Sequence, residues 1–151
     1  EDRIVSIETS LTQIGISPDK IVRFSKATES IASSSQVLII DNIGMLSSIY
    51  RYGSVAYIGG GFGKSIHNTL EAAVYGIPVV FGPMYQKFNE ALGLIECKGG
   101  FGVHSPSELQ IALDQLQGDV NFRTNSGKLA GEFVKNNTGA TQKILSQIKF
   151  S

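Results

Sequence analysis

The run Gly59-Gly60-Gly61-Phe62-Gly63-Lys64-Ser65 gathers residue types that hold anions. Glycine permits positive φ and lets another group approach the backbone closely. The N–H groups of Gly60, Gly61 and Gly63 can therefore face a phosphate, with the Ser65 hydroxyl as a further donor. The alternative is a tight strand-to-helix turn that needs glycine for geometry alone. Lys64 can pair with a phosphate or another anionic group, or it is a solvated surface lysine; Lys87 poses the same choice. Asn68 and Glu71 stand three residues apart. That spacing fits a carboxylate that accepts from ribose hydroxyls, and it equally fits a helix cap with its partner. Asp41 either holds a turn at Ile43-Gly44 or makes an Asx turn or helix cap. His67, beside the cap, reads as a hydrogen-bonding spacer rather than an acid–base catalyst, and His104 as structural. No residue in these loops makes a convincing general base. Two histidines and one scattered cysteine offer no metal ligand set.

Two familiar phosphate motifs are excluded by spacing. A dinucleotide fingerprint needs G-x-G-x-x-G, which this run lacks. A P-loop needs a glycine five residues before Gly63, where Ile58 stands.

The elements that must position these residues follow from periodicity and punctuation. Ile4, Ile7, Leu11 and Ile14 predict a helix over Arg3–Ile14, ended by Gly15. Strands are predicted at Ile21–Phe24, Val37–Ile40, Val55–Ile58, Val79–Phe81 and Phe101–Val103. The serine-rich stretch Glu29–Gln36 reads as a loop or a frayed turn. Helices are predicted over Ile43–Tyr52, from Asn68 to Gly76, over Phe88–Lys98, from Pro106 to Leu116, from an Asn121 cap through Val134, and from a Thr138 cap through Ile148. Ser105-Pro106-Ser107-Glu108 is a capping box. This alternation implies an α/β, Rossmann-like fold with a mainly parallel sheet and flanking helices. In such sheets ligands bind at the carboxyl ends of the strands. The loops Asp41–Gly44, Gly59–Asn68 and Gly82–Phe88 lie there, and they hold the candidate residues.

The stretch GGGFGKSIHNTLEAAVYGIPVVFGP resembles the nucleotide-sugar motif of the GT-B glycosyltransferases, and more closely that of the 3-deoxy-D-manno-octulosonic acid (Kdo) transferases. Asp41-Asn42-Ile43-Gly44 resembles the D-T-x-G loop of that family, and Gly139-Ala140 also fits. Met45-Leu46 and Lys87-Phe88 depart from the usual Glu-Leu and Asn-Phe. The resemblance implies the C-terminal, donor-binding half of a GT-B enzyme that uses CMP-Kdo as its donor, with no cofactor and no metal. It implies that Asp41, Ile43, Gly44, Gly60, Gly61, Gly63, Lys64, Ser65, Asn68 and Glu71 serve the nucleotide sugar, with Glu71 on the ribose and the Ile43-Gly44 backbone on the base. It places the first strands and an N-terminal domain upstream. That domain would carry the catalytic base and the site for a lipid A precursor at the cytoplasmic face of the inner membrane. This chain by itself would be soluble and would transfer no sugar. In the strand order 3-2-1-4-5-6, Ile21–Phe24 is expected to lack its neighbour.

Composition narrows the alternatives. A length of 151 residues suggests one domain with a real core. Zero formal net charge gives no footprint for nucleic acid. No apolar run approaches the ~18 residues of a membrane span, and the opening residues do not read as a secretory signal. Cys97 stands alone, so an internal disulfide is impossible and a reducing compartment fits. Two other functions stay open: a GT-B transferase that uses a UDP-sugar, and a non-catalytic nucleotide-binding α/β domain. Preference for cytidine, preference for uridine, or no nucleotide binding separates the three.

Overall fold

The structure, a computed structural model, describes residues 1–139 and 145–147. The chain divides into two compact units, Glu1–Ser48 and Ile49–Ser151. Most of the predicted Thr138–Ile148 helix lies outside the described residues.

In the first unit, helix α1 (Asp2–Gln13) precedes strand β1 (Ile21–Arg23), helix α2 (Glu29–Ser34) and strand β2 (Val37–Ile39). Helix α1 ends in paired carbonyl–amide bonds, Gly15 N–H to Thr12 O and Ile16 N–H to Leu11 O, with Gly15 at φ +98°. Strand β1 is not left without a neighbour, as the sequence reading expects. It pairs in parallel with β2 along its full length, Ile21 to Val37 and Arg23 to Ile39. The reason is the intervening helix, which makes a short β-α-β crossover. That helix corrects a second expectation. Thr28 accepts from Ile31 N–H at 3.4 Å, and the hydroxyls of Ser33, Ser34 and Ser35 bond to carbonyls three or four residues back. The serine run therefore satisfies its own polar groups within the helix. Arg23 ties α1 to β1 by donating to both Glu8 oxygens at 2.6 and 2.7 Å, and to Glu1.

In the second unit, strands β3 (Ala56–Ile58), β4 (Val79–Phe81) and β5 (Gly100–Gly102) form a parallel sheet in the order β3-β4-β5. The single sheet expected from sequence is thus two sheets among the described residues, and every pairing is parallel. Strand β4 is apolar at every position because both its faces are covered. Val79 and Phe81 join a core with Ala72, Ala73, Ala91, Leu94 and Ala130, contributed by helices α4 (Leu70–Ala73), α5 (Asn89–Glu96) and α7 (Val120–Asn136). Val80 faces the opposite core with Val103 and Leu116, under helix α6 (Pro106–Gly118). Burying three such side chains contributes about 1.5–3 kcal/mol each.

Helix ends show where sequence reading slips. Gly44 at φ +96° delays the expected Ile43–Tyr52 helix, leaving α3 (Leu46–Ile49) and a 3₁₀ turn at Tyr50–Tyr52. The cap of α7 is Asp119, which accepts from Phe122 N–H at 2.9 Å, rather than Asn121. After helix α5 the chain turns at Lys98, a non-glycine residue at φ +63°, although Gly99 follows it. Gly99 is needed elsewhere: a Cβ there would lie 2.6 Å from Ala130 N.

Candidate functional site

The loop leaving β3 is shaped by two glycines. Gly60 sits at φ +94°, and a Cβ there would fall 2.3 Å from the Ser65 carbonyl oxygen. Gly61 meets Gly82, the residue after β4, backbone to backbone: a Cβ on Gly61 would lie 2.6 Å from Gly82 Cα. Met84 N–H donates to Gly61 O at 3.1 Å and joins the two loops at the carboxyl ends of neighbouring strands. Phe62 and Met84 are exposed there.

Of the expected phosphate donors, Gly63 is removed. Its N–H donates to Gly60 O at 2.8 Å and closes a turn. The N–H groups of Gly60, Gly61, Lys64 and Ser65 have no hydrogen-bond partner among the described residues, nor has the Lys64 ammonium. Of the three expected glycine donors, Gly60 and Gly61 therefore keep their N–H groups open.

Asn68 and Glu71 are bonded to each other at the entry to α4. Asn68 Oδ1 accepts from Leu70 N–H at 3.0 Å, which caps the turn into α4, while Asn68 Nδ2 donates to Glu71 Oε1 at 3.0 Å. The second Glu71 oxygen has no partner among the described residues. A half-buried carboxylate, oriented by an amide and with one oxygen open, can accept from a ribose hydroxyl. Tyr50 was not identified from sequence. Burial, and then the negative charge of Glu71, hold its phenol above the ordinary tyrosine range. This proximity spans 21 residues of chain and leaves no local signal.

The helix contribution is smaller than expected. The predicted Asn68–Gly76 helix is a single turn, Leu70–Ala73, because Gly76 turns the chain at φ +70°. The dipole of so short a helix adds little at its N-terminus. Thr69, at the helix entry, is 1 % exposed, and its hydroxyl lacks a partner among the described residues.

Asp41, Ile43 and Gly44 belong to the first unit. Asp41 does not hold the Ile43-Gly44 turn. Its carboxylate accepts from Ser25 N–H at 2.9 Å and from the Ser25 hydroxyl. These bonds, the hydroxyl's foremost, keep its carboxyl below the usual carboxylate range. Ile43 is fully exposed beside Gly44. His104 is structural, as expected: its Nδ1 lies 3.2 Å from Glu108 Oε2. Glu108 accepts from His104 N–H instead of completing a box on Ser105.

Among the described residues, no group of three metal-ligating side chains occurs, and no helix is long and apolar enough to cross a membrane. A cavity of about 410 Å³ lies between β5 and α6, lined by Phe101, Val103, Ile111, Ala112, Lys98 and Gln115. Its largely apolar lining does not suit a phosphate.

No family model matches the chain. The chain is 38% identical over 104 residues, 66% of its length, to the 3-deoxy-D-manno-octulosonic acid transferase of Aquifex aeolicus. It is 36% identical over 115 residues, 74% of its length, to the enzyme of the same name from Chlamydia trachomatis serovar D. It spans 30% and 26% of those two relatives. Among solved structures, it is similar to the C-terminal CMP-Kdo binding domain of WaaA from Acinetobacter baumannii. The TM-score is 0.70 at 23% identity, covering 89% of this chain and 69% of that one. That likeness bears out the parallel α/β fold, and the curated relatives carry the family. The chain belongs to the 3-deoxy-D-manno-octulosonic acid transferase family.

Proposed function

We propose that this chain is the donor-binding part of a glycosyltransferase that moves Kdo from CMP-Kdo to a lipid A precursor in lipopolysaccharide synthesis. The observation that carries the reading is Glu71, held by Asn68 through one oxygen and open at the other, beside a loop of unpaired amides. In this reading Glu71 accepts from the ribose. The Gly61, Lys64 and Ser65 amides, the Ser65 hydroxyl and the Lys64 ammonium face the phosphate. As the sugar leaves, negative charge grows on the phosphate, and donors already in place stabilise it without reorganising. The name of the relatives supports Kdo as the sugar moved. The acceptor, the catalytic base and contact with the inner membrane's cytoplasmic face belong to the rest of the enzyme, so the chain alone transfers no sugar. No cofactor takes part.

Calorimetric titration with CMP, UMP and UDP tests this. The expected result is measurable CMP binding with UMP and UDP at least tenfold weaker. Preference for the uridine nucleotides would move the chain to a UDP-sugar transferase. No binding by any of them would remove the nucleotide site.

A further inference from the structure

His67 lies where the glycine loop turns back on itself. Its N–H donates to Gly59 O at 3.2 Å, which pins its backbone to the end of β3. Its ring lies against Gly60: the position of a Gly60 Cβ is 3.2 Å from the ring's Cδ2 and 3.4 Å from Nε2. The Cβ position of Gly59 is 4.0 Å from Cδ2. The edge that carries Nε2 therefore crosses the tightest part of the loop. The ring is exposed, and neither nitrogen has a partner among the described residues. His104, the other histidine, has its Nδ1 on Glu108.

We infer that His67 contacts the nucleotide phosphate directly, with its imidazolium as a charged donor beside the Gly61, Lys64 and Ser65 amides. The inference rests on the reading that a nucleotide occupies this loop. The missing Gly60 side chain leaves the ring next to the backbone, and a phosphate held by the loop amides comes within its reach. The segment it packs on, Gly59-Gly60, carries no charge. The charged residues next to it in the chain are Lys64 and Glu71, and Glu71 is already bonded to Asn68. Bringing a phosphate to the loop thus adds the negative charge that favours the protonated ring.

The test is an NMR pH titration of both histidine rings in the whole chain, with and without saturating CMP, read alongside the backbone amides. Contact with the phosphate raises the His67 midpoint by about half a unit or more, while His104 stays put. His67→Phe keeps a ring against Gly60 and removes the donor. CMP binding near pH 6 is then expected to weaken about tenfold, the size of a lost charged hydrogen bond. Amide shifts at Gly61–Ser65 with an unmoved His67 midpoint would overturn the inference and leave the nucleotide site intact. So would a His67→Phe variant that binds as the parent does. If those amides do not shift, the site itself fails, and the inference with it.

Discussion

Gly61→Ala and Gly63→Ala change the same loop by the same atom, and the structure separates them sharply. On Gly61 the new Cβ would stand 2.6 Å from Gly82 Cα and 2.8 Å from Gly82 N and C. All three are backbone atoms, so no side chain can swing aside. The loops must part, which also removes the Met84 N–H to Gly61 O bond. Overpacking costs about 1–3 kcal/mol and a lost hydrogen bond about 1 kcal/mol, so Gly61→Ala is expected to destabilise by roughly 2–4 kcal/mol. On Gly63 the nearest atom is Gly60 O at 3.5 Å, an ordinary contact, and its φ is not positive. Gly63→Ala should therefore be neutral, or stabilising by about 0.5 kcal/mol through the unfolded chain. Urea unfolding followed by circular dichroism measures both. A Gly61→Ala variant within 0.5 kcal/mol of the parent, or the two variants falling together at about the same cost, would refute the reasoning. If Gly63→Ala is stable but loses CMP, the ligand is what requires a small residue there.

Thr69→Val removes a buried hydroxyl that has no partner among the described residues, and should stabilise by about 1 kcal/mol in the same unfolding assay; a loss of that size would show that the hydroxyl is bonded. Lys98→Gly relieves a left-handed backbone position and should stabilise by about 0.5–1 kcal/mol, the strain relieved less the entropy that glycine adds. Asp41 is a carboxyl whose native value is lowered by the Ser25 hydroxyl and N–H. Its stabilising contribution is therefore full above the unfolded value near ~4, and it is lost as pH falls from there through the lower native value. Asp41→Asn should flatten the stability profile of the first unit on the acid side of pH ~4, and an unchanged profile would contradict the Ser25 contact.

Much of the site's placement was legible because it depends on local order. An apolar strand, a glycine run, Asn68 and Glu71 lie within 17 residues, from Val55 to Glu71, and strand ends fix where such loops point. The Asn68–Glu71 spacing was legible too: the two side chains meet, and Asn68 accepts from Leu70 N–H at the entry to α4. What was hidden depends on distance along the chain. Asp41 finds Ser25 sixteen residues away, and Gly61 meets Gly82 across a whole strand and helix. Nothing near either residue announces its partner. Local competition hid the rest. Serine counts as a helix breaker until its hydroxyls turn back on the helix, as in α2. Gly63 looks like an anion donor until its N–H closes a turn on Gly60.

The central claim is that Glu71 and the adjoining loop hold the nucleotide, and amide chemical-shift mapping with CMP tests it most directly when run on the parent and on Glu71→Ala. The expected shifts cluster at Gly59–Glu71, and the variant binds at least about tenfold more weakly, the loss of a charge-assisted hydrogen-bonding partner. Shifts concentrated in the β5–α6 cavity or elsewhere, or a Glu71→Ala variant with the parent's affinity, would contradict it.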